Sequence, residues 1–392
     1  MATVLEVPQP LIQEVIALRR DFHAHPELGF EETRTARIVA ERLRTLGFEV
    51  HSGIATTGVV GVLRGALPGR TVMLRADMDG LPIQEESTLE HRSSHPGKMH
   101  ACGHDGHVAI LLGAAELIAQ SARDLAGTVC LVFQPAEEGM GGARAMVHEG
   151  MLERFGIERA YGLHLSSNYD TGMLGFREGP FYASSDSIDI EVLGRGGHGA
   201  SPQQTVDPIY VASNFVSSLQ QIVSRQIDPI QPAVVTIGAF HGGTTHNVIP
   251  RTVKMMGTVR AFSPEVRNAM PQRIERVLKA CCDASGATYD FSYSWRYPVT
   301  ANDPSQNRYA RALACTVIGE ERVLDADQLM GAEDFSFFAQ RIPACFYTLG
   351  ARGGPQTSAP HHSSTFDIDE RALATGVKMM AAIALDAPQN AP

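Results

Sequence analysis

The feature that most limits how this chain can fold is an alternation in its first 182 residues, where short apolar runs are separated by helix-forming stretches. Val59–Leu63, Thr71–Leu74, Thr128–Phe133 and Arg159–Leu165 have the length and composition of buried strands. Leu11–Arg20 carries Leu11, Ile12, Val15, Ile16 and Leu18 at helical spacing. Glu31–Leu46 is a second expected helix, with Glu31 and Glu32 in its first turn and Gly47 as its stop, and His107–Ser121 is a third. Strands alternating with helices predict an α/β fold with a mostly parallel sheet and helices on both faces. The pattern changes near Ala183. Ser187–Val192, Ala233–Phe240, Val253–Phe262 and Tyr289–Trp295 read as strands, and Tyr210–Arg225 and Pro264–Ala284 as helices. This β-α-β-β-α-β order is that of a ferredoxin-like unit. After Pro298 the first style returns, with a helix, the strand Ala344–Leu349 and the helix Glu370–Leu385. The expected architecture is one α/β domain formed by residues 1–182 and 298–392, interrupted by an inserted α+β domain at 183–297.

Bulk properties agree with two domains, since 392 residues exceed a single ordinary core. The net charge is -10, and no cluster of Lys and Arg is present to track a phosphate backbone, so a nucleic-acid partner is not expected. No run approaches the roughly 20 apolar residues needed to span a bilayer. Met1 to Pro10 lacks the basic and apolar regions of a secretory signal. Cys102, Cys130, Cys281, Cys282, Cys315 and Cys345 are few and irregularly spaced, as in a reduced, cytoplasmic protein.

The segment Met99-His-Ala-Cys-Gly-His-Asp-Gly-His107 packs three His, one Cys and one Asp into nine residues before an apolar helix. In an extended loop Cys102 and His104, two apart, can face one point, and thiolate and imidazole suit zinc and its neighbours. The competing reading is a polar loop that caps the helix. Gln134-Pro-Ala-Glu-Glu-Gly139 follows a strand, and its adjacent glutamates diverge, so one can ligate a metal while the other acts as general base. A bare Glu-Glu is otherwise a solvated turn; its position beyond a strand's carboxyl end, where α/β sheets gather ligands, favours the functional reading. Thr71–Leu74 runs into Asp77 and Asp79, and His164 sits in an otherwise apolar strand, where a lone His is more often a satisfied core residue. His361 and His362 occupy a loop of the returning segment.

Other motifs fail. Gly194-Arg-Gly-Gly-His-Gly199 fits a dinucleotide fingerprint, but Pro202 and Pro208 keep a helix from starting at once and the distal acid is absent. His148-Glu149 is not a zincin motif because position 152 is Leu. No nucleophile elbow, Walker loop or nucleobase-deaminase signature occurs.

Across nearly its whole length the chain resembles the di-metal aminoacylase and amidohydrolase family. The branch it is most similar to contains hippurate hydrolases, bacterial N-acyl-amino-acid amidohydrolases and plant indole-acetyl-amino-acid hydrolases. The resemblance is carried by Arg19-Arg-Asp-Phe-His-Ala-His-Pro-Glu-Leu28, Leu74 through Pro82, His100 through His107, and Phe133 through Gly139. Gly194 through Ala200, His246-Asn-Val-Ile-Pro250, Gly331-Ala-Glu-Asp-Phe335 and His362 through Glu370 complete it. It implies two divalent ions per subunit, most simply Zn2+ with Mn2+, Co2+ or Ni2+ as alternatives, held by Cys102, His104, Glu138, His164 and His362. It further implies Glu137 as general base, Asp79 as an acid orienting a ligand, His198 as an oxyanion donor often reaching across a dimer, and Asn247 as a substrate contact. His362 is chosen because it lies four residues before Phe366; where the branch often has Leu-His-Ser-Pro, this chain has His361-His-Ser-Ser, and His361 competes.

The expected activity is hydrolysis of the amide bond of N-acyl amino acids by a homodimer or higher homo-oligomer. A deacetylase or dipeptidase with the same centre is the nearest alternative, and a catalytically silent conjugate-binding relative is another, disfavoured by retention of Glu137. A structural zinc site is disfavoured because the candidate ligands run from Cys102 to His362, whereas structural sites are closed clusters of short spacing.

Overall fold

The computed structural model describes residues 6–392, so the reading of Met1 to Pro10 falls in part outside the described residues. Two compact units emerge. One comprises Met1–Gly179, Ala301–Asp327 and Asp334–Pro392, the other Pro180–Thr300 and Gln328–Glu333. Nothing in the sequence pattern signalled the short excursion Gln328–Glu333.

The first unit is built on an eight-stranded sheet. Its strands are β1 (Glu49–Ile54), β2 (Gly58–Arg64), β3 (Leu67–Asp77), β4 (Ala126–Gln134), β5 (Arg159–Asp170) and β6 (Leu174–Phe176), joined by Ala344–Arg352 and Val323–Asp325. The order is β1-β2-β4-β3-β5, then Ala344–Arg352, β6 and Val323–Asp325. The central strands β4, β3, β5 and Ala344–Arg352 run parallel, with Leu74 opposite both Leu131 and Tyr161, and Tyr161 opposite Cys345. Parallel strands are buried on both faces, which is why they read as continuous apolar runs. Val72, Leu74, Leu131 and Leu163 pack into one core with helices α1 (Gln9–Ala24), α3 (His104–Gln120) and Arg371–Asn390. The alternate residues Met73, Val132 and Phe346 are equally buried, and helices Gly142–His148 and Ser336–Ala339 pack on their strands. Helix α2 (Thr33–Thr45) packs on β1 and β2.

The second unit has four antiparallel strands in the order Ala233–Gly242, Thr252–Ala261, Ser185–Leu193, Thr288–Tyr297. Helices Pro208–Leu219 and Pro264–Asp283 share its core. Chain order and spatial order together are those of the ferredoxin-like fold. The segment expected as a single helix from Tyr210 to Arg225 is two, Pro208–Leu219 and Gln221–Gln226. The first starts at Pro208 itself because Pro suits the first helical position and the Asp207 carboxylate accepts the Ile209 N–H at 2.9 Å. Among the described residues, no helix is long and apolar enough to cross a membrane.

Candidate metal centre

Parallel central strands bring their carboxyl ends to one edge of the sheet, and the residues read as ligands collect there. Cys102 and His104 do not sit in an extended loop as expected. Gly103 takes φ +90°, a left-handed turn that glycine adopts without steric cost, and α3 starts at His104 rather than His107. That turn brings thiol and imidazole to a common point.

Two donor sets share Cys102. One is Cys102, His164 and His361; the other is Cys102, His104 and Glu138; within each set the donor atoms lie within 4.8 Å of one another. Cys102 Sγ is 3.5 Å from His164 Nε2 and 3.5 Å from His361 Nδ1. His104 Nε2 is 3.9 Å from Glu138 Oε1. Two donors of one tetrahedral ion, with metal–N near 2.0–2.1 Å and metal–S near 2.3 Å, stand about 3.5 Å apart, so these spacings suit a shared cation. His104 Nδ1 faces the Asp79 carbonyl at 2.8 Å and His164 Nδ1 the Leu165 carbonyl at 2.7 Å. A carbonyl can only accept, so each Nδ1 carries a proton and each Nε2 is the nitrogen left to bind a cation. His104 Nε2 and Glu138 Oε1 are buried and make no well-aligned hydrogen bond among the described residues, their near neighbours being Asp77 Oδ2 at 3.4 Å and His362 Nε2 at 3.2 Å. Buried atoms so poorly bonded are costly unless a cation takes them. The residues present therefore fit two divalent ions.

Electrostatics point the same way. Burial, reinforced by Glu138, Glu137 and Asp77, pushes the Cys102 thiol well above its usual range. Burial works against a charged His104, yet the carboxylates of Asp77, Asp79 and Glu138 outweigh it and carry the imidazole up to about 10. Burial, with His107 and His361 alongside, holds His164 well below its usual value. The centre is rich in carboxylate and short of cations.

The remaining expected residues are placed as follows. His362 belongs to neither donor set; its half-exposed ring puts Nε2 3.2 Å from Glu138 Oε1. Glu137 and Glu138, as adjacent residues, face different partners, and the left-handed Ala136 (φ +52°) just before them sets how the pair leaves the strand. Glu137 turns toward Asp334, whose N–H donates to its Oε1 at 3.2 Å, while Glu138 turns toward His104. Asp79 orients His104 through its backbone carbonyl, and its carboxylate accepts the N–H groups of Glu137 and Glu138, each at 3.0 Å. His198 and Asn247 lie in the second unit, on the paired strands Gly197–His198 and Val248–Ile249 and the turn beside them. His198 Nδ1 accepts the Ala200 N–H at 3.0 Å, which puts the ring proton on Nε2. The Asn247 carbonyl accepts from Gly199 N–H at 2.9 Å.

A buried ionic lattice behind the centre was not read from the sequence. Arg75 donates to Asp77 at 2.7 Å, Asp334 at 3.0 Å and Gln134 at 2.8 Å. Asp77 in turn holds His107 Nδ1 at 2.6 Å, and His107 Nε2 accepts the Leu165 N–H at 2.9 Å, beside His164. The Gly331-Ala-Glu-Asp-Phe335 run carried only resemblance; an acid among phenylalanines was the available signal for Asp334.

Residues 73–386 match the model of peptidase family M20/M25/M40. The N-acyl-L-amino acid amidohydrolase of Geobacillus stearothermophilus is 45% identical over 298 residues, spanning 76% of this chain and 80% of the relative. The hippurate hydrolase of Campylobacter jejuni is 38% identical over 383 residues, 96% of this chain and 98% of the relative. Among solved structures, the YXEP protein of Bacillus subtilis, a dinuclear metal binding peptidase from the M20 family, aligns with a TM-score of 0.84 at 34% identity, covering 96% of this chain and 98% of that one.

Proposed function

The chain belongs to peptidase family M20/M25/M40, and from that membership we propose that it hydrolyses the amide bond of N-acyl amino acids, releasing a carboxylic acid and an amino acid. The observation that carries this reading is one thiol, Cys102, common to two donor sets, with the charge of Glu137 acting on that thiol. The centre takes two divalent metal ions. Cys102, His104, Glu138, His164 and one imidazole of the 361–362 pair are the proposed ligands. Motif spacing favours His362 for the fifth place and proximity to Cys102 favours His361. A thiolate ligand favours zinc, while manganese, cobalt and nickel remain chemically competent.

Bound there, the two cations supply Lewis acidity, acidifying a water and polarising the scissile carbonyl. Glu137, its Oε1 held by the Asp334 N–H, takes a proton from the attacking water and returns it to the departing nitrogen. The water oxygen joins the carbonyl carbon, the C–N bond breaks, and the nitrogen leaves as the amine of the amino acid. His198 donates from Nε2 to the developing oxyanion, and Asn247 holds the substrate. Homodimerisation is also proposed, supported by the exposed side chains of Phe240, Met256 and Trp295 on the inserted unit; light scattering measures it. The six free cysteines fit the proposed cytoplasmic location.

Elemental analysis, together with hydrolysis of N-benzoylglycine with and without a chelator, tests the reading. About two ions per chain and loss of turnover on chelation are expected. Glu137→Ala should lower kcat by ~10²–10⁴ with both ions retained. Undiminished turnover in that variant would remove Glu137 as the base.

A further inference from the structure

Beneath the turn that bears Glu137 sits a carboxyl group that the reaction as derived does not use. Glu32 is fully buried. Its Oε1 accepts the Ala136 N–H at 2.8 Å and its Oε2 accepts the Thr57 hydroxyl at 2.5 Å. As the residue preceding α2, Glu32 would ordinarily cap that helix, yet its side chain makes no cap bond. Glu27 does that work instead, accepting the N–H groups of Arg34 at 2.9 Å and Thr35 at 2.8 Å. Glu32 is thereby released to face inward.

Both of its partners belong to strained turns. Ala136 has φ +52°, and Ala55 and Thr56, just before Thr57, have φ +48° and +77°. Left-handed backbone is unfavourable for a non-glycine residue, and alanine brings no side-chain hydrogen bond to offset it. At Ala136 the compensation comes from outside the turn. Glu32 takes the N–H of residue 136, and Asp79 takes those of 137 and 138, so three consecutive N–H groups end on two carboxylates. Packing closes the turn from other sides. A Cβ at Gly29 would lie 3.0 Å from Ala136 Cβ, one at Gly142 would lie 1.7 Å from the Pro135 oxygen, and one at Gly58 would lie 3.1 Å from Pro135 Cδ.

We infer that Glu32 is a positioning residue, which through the Ala136 N–H holds the left-handed turn from which Glu137 is aimed. This rests on Glu137 being the base. The carboxyl is kept at some cost, since burial pushes it up to about 7 and no cation is among its hydrogen-bond partners. That is hard to account for by helix capping or packing alone, and easy to account for if the turn needs an acceptor at that point.

The test uses metal-loaded protein and N-benzoylglycine. Glu32→Ala should lower kcat by ~10- to 100-fold, with KM within about threefold and about two ions per chain, as expected of a misaimed base. Glu32→Gln should keep kcat within about threefold, because its amide oxygen still accepts the Ala136 N–H and its NH2 can donate to Thr57. Adding Ala136→Gly to Glu32→Ala should recover about threefold or more, since glycine takes φ +52° without a Cβ penalty. Support without a positioning role would give no such rescue. Should Glu32→Ala not fold, Glu32→Asp, which withdraws the acceptor by one methylene, is read in the same way. The inference is overturned by wild-type kcat in Glu32→Ala, by loss of bound metal in parallel with activity, or by absence of rescue. If Glu137→Ala proves active, the base assignment fails; if that variant is inert and Glu32→Ala is unimpaired, only this inference fails.

Discussion

The two units treat buried charge in opposite ways. In the first, Arg19, Arg75, Asp77, Asp105 and Asp334 are all at most 1% exposed and bonded to one another or to histidines. In the second, the core is apolar, mainly isoleucine, valine, leucine, methionine and phenylalanine with a few alanines and cysteines, and of its two buried acids, Asp186 and Glu333, the first is held by Arg267 at 2.7 Å and Tyr293 at 2.9 Å. Buried ion pairs seldom stabilise more than apolar residues of the same volume. Their concentration in one unit therefore calls for a different cause, and their endpoints supply it. Arg75 leads through Asp77 to His104 and His107 and through Asp334 to Glu137; Arg19 leads to Asp105, the neighbour of His104. Asp186 leads to no residue of the centre, and joins a strand to the helix Pro264–Asp283 through Arg267. Charge is buried densely where it leads to the proposed ligands and sparsely where it fastens elements.

The largest expected effect separates ligand from lattice. Cys102→Ala should remove the donor common to both sets, with metal content well below two per chain and turnover lost. His361→Ala and His362→Ala, measured by the same elemental analysis, then identify the fifth ligand as whichever variant loses an ion. Unchanged metal content in Cys102→Ala would leave the lattice with nothing to aim. Next comes Arg75→Met, which strands Asp77 and Asp334 without their guanidinium. Unfolding by urea should show a loss of roughly 3–5 kcal/mol. A loss under about 1 kcal/mol would show that the lattice carries no strong pairing, and the contrast between the units would dissolve.

How far the sequence reached differs between these regions for the same reason. The strands β3, β4, β5 and Ala344–Arg352 were legible because burial on both faces leaves uninterrupted apolar runs. Strand β1 was missed, since Glu49-Val-His-Ser-Gly-Ile54 is an edge strand with mostly solvent-facing polar residues. Motif spacing brought Cys102, His104, Glu138 and His164 into view, but not that Gly103 turns them toward one another, nor which imidazole of the 361–362 pair meets the thiol. Glu32 read as an ordinary first-turn acid, because nothing along the chain announces an Ala136 N–H more than a hundred residues away.

Glu32 also sharpens the contrast through pH. Its carboxyl, pushed up to about 7 by burial, favours the protonated form in the folded state, with Asp79 adding to the rise and the Thr57 hydroxyl opposing it. The stability this confers is full below the ordinary carboxylate value of about 4.5 and is lost as pH rises through about 7. Glu32→Gln escapes that loss. Its thermal stability relative to the wild type should therefore be greater at pH 8 than at pH 5, by at most about 3 kcal/mol. A pH-independent difference would mean that Glu32 ionises as it does in water and that the turn is held at no electrostatic cost.

Asp186→Asn gives the smallest effect and the cleanest discrimination. The amide oxygen can still accept from Tyr293 or from the Arg296 N–H, now at 2.9 and 3.0 Å, and the Arg267 guanidinium remains over the Trp295 ring at 5.1 Å. One of the two Arg267 hydrogen bonds and the charge assistance of the other are lost, so the stability decrease should be about 1–2 kcal/mol. Because that acid leads to no residue of the centre, kcat and KM for N-benzoylglycine should stay within about twofold, and metal content should not change. A drop in kcat without a matching drop in stability would show that charge in the inserted unit also aims something. The distinction between aiming and fastening would then have to be drawn inside that unit rather than between the two.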